Sequence, residues 1–262
     1  QAYLLTIASY ISISVSTLYI SSLARQRIFG LLAAAGAVLQ SATVAAAVFD
    51  AVTIVTGSEA NVHEQRYAEL LHDRLERESG VDVLVQEAPR GMGLSIYLGV
   101  PDRHPSLRQV CEDRGVRLPA PLDPGAEGFV LESLADDVLV GIGSDSRGVL
   151  YAVGEILRQT VARENRIELA TDLEVRAAPR FRYRGTIAWQ GHTITELTGS
   201  RRWTEQETHD NYLNYALAGA NIFQISSAKD DPIYQLLRDY GLLTLTTING
   251  NSGQGPPEWQ AK

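Results

Sequence analysis

The sequence predicts an α/β protein: a small sandwich with helices on one face of a sheet, followed by a series of alternating strands and helices. Three observations carry this expectation. Between residues 48 and 178, short β-branched runs bounded by glycine alternate with two longer segments of helical periodicity. Beyond residue 179 the pattern becomes strand, helix, strand, helix, strand, the repeat of a parallel α/β structure. A chain of 262 residues with 45% hydrophobic and 21% charged content has the balance of a core-forming globular protein.

The elements follow in order. AVTIVTG at 51–57 reads as a buried strand ending in glycine. Residues 63–80 place Tyr67, Leu70, Leu71 and Leu75 at helical spacing, with Gly80 as the stop. Residues 81–88 and 94–100 read as two more strands, and residues 128–133 and 138–143 as a hairpin around Ala135-Asp136-Asp137. Residues 147–161 form a second amphipathic helix and 167–175 a sixth extended segment. Ala178-Pro179 marks a junction, since proline cannot continue a preceding ladder. Past it, residues 183–189 read as a strand. A helix capped by Thr204 with Glu207 three residues on buries Tyr212, Tyr215, Ala216 and Leu217. Residues 221–226 form a strand, 232–240 a helix and 242–248 a third strand.

Composition narrows the function. A net charge of −8 argues against a nucleic-acid binder, which needs Lys and Arg against phosphates. The lone Cys111 excludes a disulfide framework and a cysteine-based zinc finger. The histidines, His63, His72, His104, His192 and His209, make no His-x-x-x-His pair, so no metal site and no cofactor are expected.

Residues 1–47 carry no acidic group and two charges, Arg25 and Arg27. A short basic region, an apolar run over 28–47 and the Ala45-Ala46-Ala47 end match a secretory signal peptide cleaved after Ala47. The expectation is a secreted or periplasmic protein with no membrane contact after signal removal. The alternative is a membrane segment that anchors the chain. Residues 1–24 are uncharged and precede the basic region, and no Met stands before Met92. They read as upstream sequence in frame, or as the first of two spans with Arg25 and Arg27 in the turn.

The Gly-rich loop Gly141-Ile142-Gly143-Ser144-Asp145-Ser146-Arg147-Gly148 lies between a strand and a helix. A dinucleotide fingerprint needs glycine at its sixth position, where Ser146 stands, and a crossover helix where a hairpin precedes it. The loop is therefore read as a turn with Ser144 or Asp145 capping the helix.

Residues 127–159, with Glu127-Gly128-Phe129, the strand 138–142 and Arg147-Gly148 leading into Tyr151, Ala152 and Leu157, resemble a known accessory domain. It is the small α/β domain that precedes the catalytic barrel in α-glucuronidases and β-N-acetylhexosaminidases, both glycoside hydrolases. The resemblance covers residues 48–178. It continues in Arg184-Gly185, in the helix bearing Tyr212 and Leu213, and in Gly219-Ala220-Asn221, which look like the opening of a (β/α)8 barrel. The resemblance implies three parts: a leader (1–47), the accessory α/β domain (48–178) and the N-terminal part of a catalytic barrel (179–262). Such a barrel takes about 250 residues, so the last part is expected to be its first two to three strand–helix units, a truncated TIM barrel.

Glycoside hydrolysis uses two carboxyl groups flanking the scissile bond. No Asp-Glu dipeptide of the hexosaminidase type occurs, Asp136-Asp137 sits in a turn and Asp230-Asp231 starts a helix, so no catalytic residue is assigned. The resemblance makes Arg184 a substrate-binding candidate, its fork suited to sugar hydroxyls or a uronic carboxylate; the alternative is a salt bridge within the barrel. Trp189 could stack on a sugar ring and His192 hydrogen-bond to one, at the strand's C-terminal end; the alternative is ordinary loop packing. The polar loop 249–255 would share that rim if 242–248 is the third strand; the alternative, and the favoured one, is a frayed end. The acidic residue that the hexosaminidase pattern has after the arginine is absent here and Trp189 stands nearby instead, which favours the α-glucuronidase-like side. The expected function is a secreted glycoside hydrolase acting on polysaccharide or oligosaccharide, inactive as this chain alone. The alternative is a non-catalytic carbohydrate-binding or scaffold module.

Overall fold

The computed structural model describes residues 46–135, 137–186, 204–225 and 232–246, all within the unit Val44–Lys262. The first part runs β1 (Ala46–Phe49), β2 (Ala51–Thr56), α1 (Val62–Ser79), β3 (Asp82–Gln86), β4 (Leu94–Gly99), α2 (Pro105–Arg114), β5 (Phe129–Ala135) and β6 (Val138–Gly143). It continues with α3 (Ser146–Gln159), β7 (Thr160–Arg163), β8 (Arg166–Ala170) and β9 (Glu174–Ala177). Then follow β10 (Gly185–Thr186), α4 (Glu205–Leu217), β11 (Ile222–Ile225), α5 (Pro232–Asp239) and β12 (Leu243–Thr246).

The protein is α/β, as its periodicity predicts. The main sheet has the order β3-β2-β4-β6-β5-β9. Strands β3, β2, β4 and β6 are parallel neighbours, and β5 is antiparallel to both β6 and β9. Central β4 is buried along its whole length. Alternation along the strands makes two apolar faces. Val52, Ile54, Ile96, Leu98, Leu131 and Leu139 enter the larger core, while Val55, Tyr97, Val130 and Val140 enter a smaller one on the other side.

Helices α1 and α3 lie together over the larger core. Asn61 caps α1 by accepting from the His63 and Glu64 amides, and α1 stops at Gly80 as expected. Asp145, one of the two expected caps, accepts from the Gly148 amide at the start of α3. The expected one-faced arrangement holds for these two helices. Helix α2, for which the sequence pattern gave no element, covers the opposite face. It buries only Leu107 and Cys111, too few apolar positions to register as a period.

Two boundaries differ from expectation. The single extended segment over 167–175 is two strands in different sheets: β8 pairs with β1 and β7, whereas β9 joins β5 at the edge of the main sheet. Those pairings are long-range, so no local pattern marks the break. Helix α3 also ends at Gln159, and residues 160–161 belong to β7. Ala46 and Ala47 pair with Ala170 and Leu169, so the cleavage point expected after Ala47 falls inside β1.

Strands β10, β11 and β12 form a separate parallel sheet in sequence order, with α4 and α5 as the connections. The Thr204–Glu207 capping box is present. Phe223 and Ile225 are buried, and Ile222, Gln224, Leu243 and Leu245 share the opposite, more open face. Tyr215, expected on the buried face of α4, is 41% exposed; Leu213 is buried instead.

The helices of the two parts share one core. Tyr67, Leu71, Val153 and Ile156 belong to the same apolar cluster as Tyr212, Leu213, Phe223 and Leu237. Every residue from Gly148 to Val153 is buried, because α3 has the main sheet on one side and α4 on the other. A Cβ on Gly154 would lie 2.1 Å from the Leu217 carbonyl oxygen, so α3 and α4 approach backbone to backbone at that point. Tyr67 donates to the Tyr240 carbonyl at 2.9 Å, and Arg74 and Arg77 both hold Asp210 of α4.

Buried His104 caps α2. Its Nδ1 accepts from the Leu107 amide at 3.2 Å, and its Nε2 donates to the Val55 carbonyl at 3.0 Å. An amide can only donate and a carbonyl only accept, so the ring is neutral in this geometry. Burial lowers its pKa from 6.5, against the raising influence of the Val55 hydrogen bond and of Glu64.

Two outcomes should follow. Gly154→Ala should cost about 1–3 kcal/mol of stability, as overpacked core sites do, when measured by urea unfolding. The His104 contribution is complete above pH 6.5 and falls as pH drops through and below that value, since the unfolded chain takes up the proton first. His104→Asn keeps a capping side chain and should flatten this part of the stability–pH curve. An unchanged slope between wild type and variant would contradict the neutral-cap assignment.

Candidate functional site

The residues that carry the family resemblance converge where the main sheet meets the N-terminal ends of the parallel sheet. Glu127 precedes β5 with φ 55°, held there by its amide donating to Asp145 Oδ2 at 2.8 Å. Its carboxylate accepts from Arg147 Nη1, from Arg184 Nη2 at 2.5 Å and from Asn221 Nδ2 at 3.3 Å. Arg147 reaches onward to the Gly241 carbonyl at 3.0 Å. Arg184 precedes β10, Asn221 precedes β11 and Gly241 lies just before β12. One carboxylate thus gathers the starts of all three parallel strands.

Arg184 is surrounded. Its Nε donates to the Gly219 carbonyl at 2.6 Å, Nη1 to the Phe181 and Arg182 carbonyls, and Nη2 to Glu127 and to the Tyr151 hydroxyl at 2.6 Å. Its guanidinium also lies over the Tyr151 ring, 5.3 Å from the centroid. The ion pair is therefore made with Glu127 of the first α/β part, and a sugar hydroxyl would have to displace one of these acceptors. Burial raises the Glu127 pKa, but hydrogen bonds from Arg184 and Arg147 and their charges outweigh it, leaving the carboxyl below its usual 4.5. Burial pushes the Tyr151 hydroxyl up to about 12, so it is a neutral donor and acceptor.

The Gly-rich loop is spent on packing. A Cβ on Gly148 would sit 2.1 Å from the Gly128 carbonyl oxygen, and the Ser144 amide donates to that same oxygen at 2.9 Å. In doubly wound sheets the crevice beyond the parallel strands' C-terminal ends takes the ligand. Here the chain's own groups meet beside it: Glu64, 3% exposed, accepts from Arg103 and from Ser146 Oγ at 2.8 Å, while Asn61 donates to Ser146.

A cleft of about 710 Å³ adjoins Arg184, lined by Phe129, Tyr151, Arg158, Phe181, Tyr183 and Tyr215 among others. The sequence reading missed Phe181, Tyr183 and Tyr215; the signal was the alternation Arg-Phe-Arg-Tyr-Arg over 180–184, two aromatic rings one residue apart. Trp189, His192, the loop 249–255, Asp136 and Asp230-Asp231 lie outside the described residues. Among the described residues no group of three or more His, Cys, Asp or Glu could hold a metal ion.

The chain is similar to several solved structures. A family GH115 4-O-methyl-α-glucuronidase with specificity for decorated arabinogalactans superposes over 77% of this chain and 29% of its own, with TM-score 0.57 and 16% identity. A GH20 exo-β-N-acetylglucosaminidase from Vibrio harveyi gives TM-score 0.44 at 15% identity, over 69% of this chain and 23% of its own. A GH20 β-N-acetylhexosaminidase from Streptomyces coelicolor A3(2) also gives 0.44 at 15% identity, over 67% and 30%. No protein-family model and no curated protein matches the sequence. The chain has a glycoside hydrolase-like fold, and it spans less than a third of the length of each of these structures.

Replacing Glu127 by Gln should lower stability by about 1–3 kcal/mol. This is less than a fully buried pair would lose, because the Glu127 and Arg184 side chains are 17% and 18% exposed. In the wild type the contribution is complete above pH 4.5 and is lost as pH falls from there through the lowered pKa of the folded state. Acid titration of the melting temperature checks both: the variant should start lower and fall less.

Proposed function

We propose that residues 48–178 form the accessory α/β domain of a glycoside hydrolase and residues 179–262 the first strands of its (β/α)8 barrel. The observation that carries the reading is the order of the second sheet. β10, β11 and β12 are consecutive, parallel and joined by helices, directly after an α/β domain whose Glu127 and Arg147 hold their starting ends. In such barrels the chemistry sits at the C-terminal strand ends. The segments that follow β10, β11 and β12 supply that rim. Trp189 and His192 are the proposed sugar contacts, by stacking and hydrogen bonding respectively. Arg184 positions the start of β10.

Polysaccharide or oligosaccharide is the proposed substrate, with an α-glucuronidase-like activity favoured over a β-N-acetylhexosaminidase-like one. The absence of an acidic residue after Arg184, with Trp189 nearby instead, supports that preference, as does the overlap with a solved 4-O-methyl-α-glucuronidase. The pair of carboxyl groups that cleaves the bond is placed on later barrel strands. Export to the periplasm or the medium fits a polysaccharide substrate.

The test is hydrolysis by the protein expressed from its complete reading frame, offered aryl α-glucuronides and aryl β-N-acetylglucosaminides. Glucuronide turnover is expected, with Trp189→Ala and His192→Ala raising KM about tenfold or more. The 262-residue chain alone should release nothing. Turnover by that chain alone, or none from the complete frame, would overturn the proposal.

A further inference from the structure

The apolar leader ends in three overlapping triplets, Thr43-Val44-Ala45, Val44-Ala45-Ala46 and Ala45-Ala46-Ala47. Each has the A-x-A character that a signal peptidase reads before its cut, so sequence alone does not choose among them. The strand that follows does. β1 begins at Ala46 and pairs residue for residue with β8: Ala46 with Ala170, Ala47 with Leu169, Val48 with Glu168 and Phe49 with Ile167. It is an edge strand of the sheet β1-β8-β7, with β8 as its neighbour. Ala46 is exposed, whereas Ala47 packs against the larger core, to which buried Phe49 belongs. The three cuts therefore leave three different proteins. A cut after Ala47 removes half of the register. A cut after Ala46 sets the new ammonium group on a residue packed against apolar side chains, where a charge is costly. A cut after Ala45 keeps the whole register and puts the ammonium group on exposed Ala46, with the first residue tied into a sheet.

We propose that signal peptidase hydrolyses the Ala45–Ala46 peptide bond, so that the exported protein starts at the first residue of β1. Water adds across the amide, leaving a carboxylate on Ala45 of the leader and an ammonium group on Ala46. The leader points to the same bond from the other side. Residues 1–45 lie outside the described residues, and their sequence holds an unbroken apolar run over 28–39, of the length of a signal peptide's apolar region. Gln40 and Ser41 end that run. Thr43-Val44-Ala45 is the first triplet beyond it that ends in alanine with a small residue two places earlier. The cut presupposes the export reading and is independent of the sugar chemistry.

The complete reading frame, expressed with its own leader in a secreting host, tests this by N-terminal sequencing and intact mass of the exported product. The expected terminus is Ala46. Thr43→Arg puts a bulky charge three places before the cut and should abolish that terminus. Ala47→Leu spoils only the triplet that ends at residue 47 and should preserve it. Both variants are read on pulse-labelled chains, so neither result depends on the product's folding. Deleting Ala46 and Ala47 behind the unchanged leader yields the protein that a cut after Ala47 would leave. Its melting temperature should be about 2–4 °C lower, and an unchanged value would remove the structural ground for the assignment. A product that begins at Ala47, at Val48 or upstream of Ala46 would overturn the proposal. So would an Ala46 terminus that survives Thr43→Arg, since trimming back to a folded edge gives the same end without this peptidase site. A chain that stays uncut in the membrane fraction would overturn the export reading itself, and the cut with it. None of these readings measures turnover, so the glycosidase assay stands or falls separately.

Discussion

Glu127 is one carboxylate meeting two guanidinium groups and a side-chain amide from three separate stretches of chain. Its geometry constrains much of the molecule. The residue sits in the left-handed region, and its amide is tied to Asp145, which also caps α3. The turn before β5, the loop before α3 and the starts of the parallel strands are thereby fixed to one point. A carboxylate with partners on two sides keeps its charge at low pH, so the junction is electrostatically stable wherever the chain is neutral to mildly acidic. The glycine-rich segment beside it follows from the same demand. Gly148 lets the helix approach the Gly128 carbonyl closely enough for Arg147 to reach Glu127.

Packing reinforces this polar clasp. The pair α1 and α3 serves two sheets at once, with the six-stranded sheet behind and α4 in front. Burying both sides of α3 removes about 1.5–3 kcal/mol of apolar exposure per large side chain, but it requires a site where two helices approach closely. Gly154 against Leu217 is that site. The Glu127 clasp and the Gly154 contact together tie the N-terminal ends of β10, β11 and β12 to the main sheet.

Much of this architecture was legible in the residues. Helix α1 announced itself through Tyr67, Leu70, Leu71, Leu75 and the Gly80 stop, and α4 through Thr204 and Glu207, because caps and helical spacing are local signals. The β5–β6 hairpin and the parallel series after residue 179 were equally plain. Helix α2 was hidden because it buries only Leu107 and Cys111. The split of residues 166–177 between two sheets was hidden because β9 finds β5 and β8 finds β1 across the fold. Arg184 stood out in sequence, yet its partner did not: Glu127 is far from it along the chain, and nothing local links them. Tyr215 shares the helical spacing of buried residues but lies at the border of the stripe, where the turn of the helix aims it at the cleft.

The sequence by itself determined most of the secondary elements, helix α2 and the break between β8 and β9 excepted, and the absence of a Cys-based scaffold, since each depends on contacts within a few residues or on composition. Tertiary structure alone decided which charges meet. Arg184 became a clasp, Asp210 a tie between α1 and α4, and Phe181, Tyr183 and Tyr215 a common surface. Those are meetings of residues tens of positions apart, and their energies depend on distance and burial, quantities that exist only once the chain has folded.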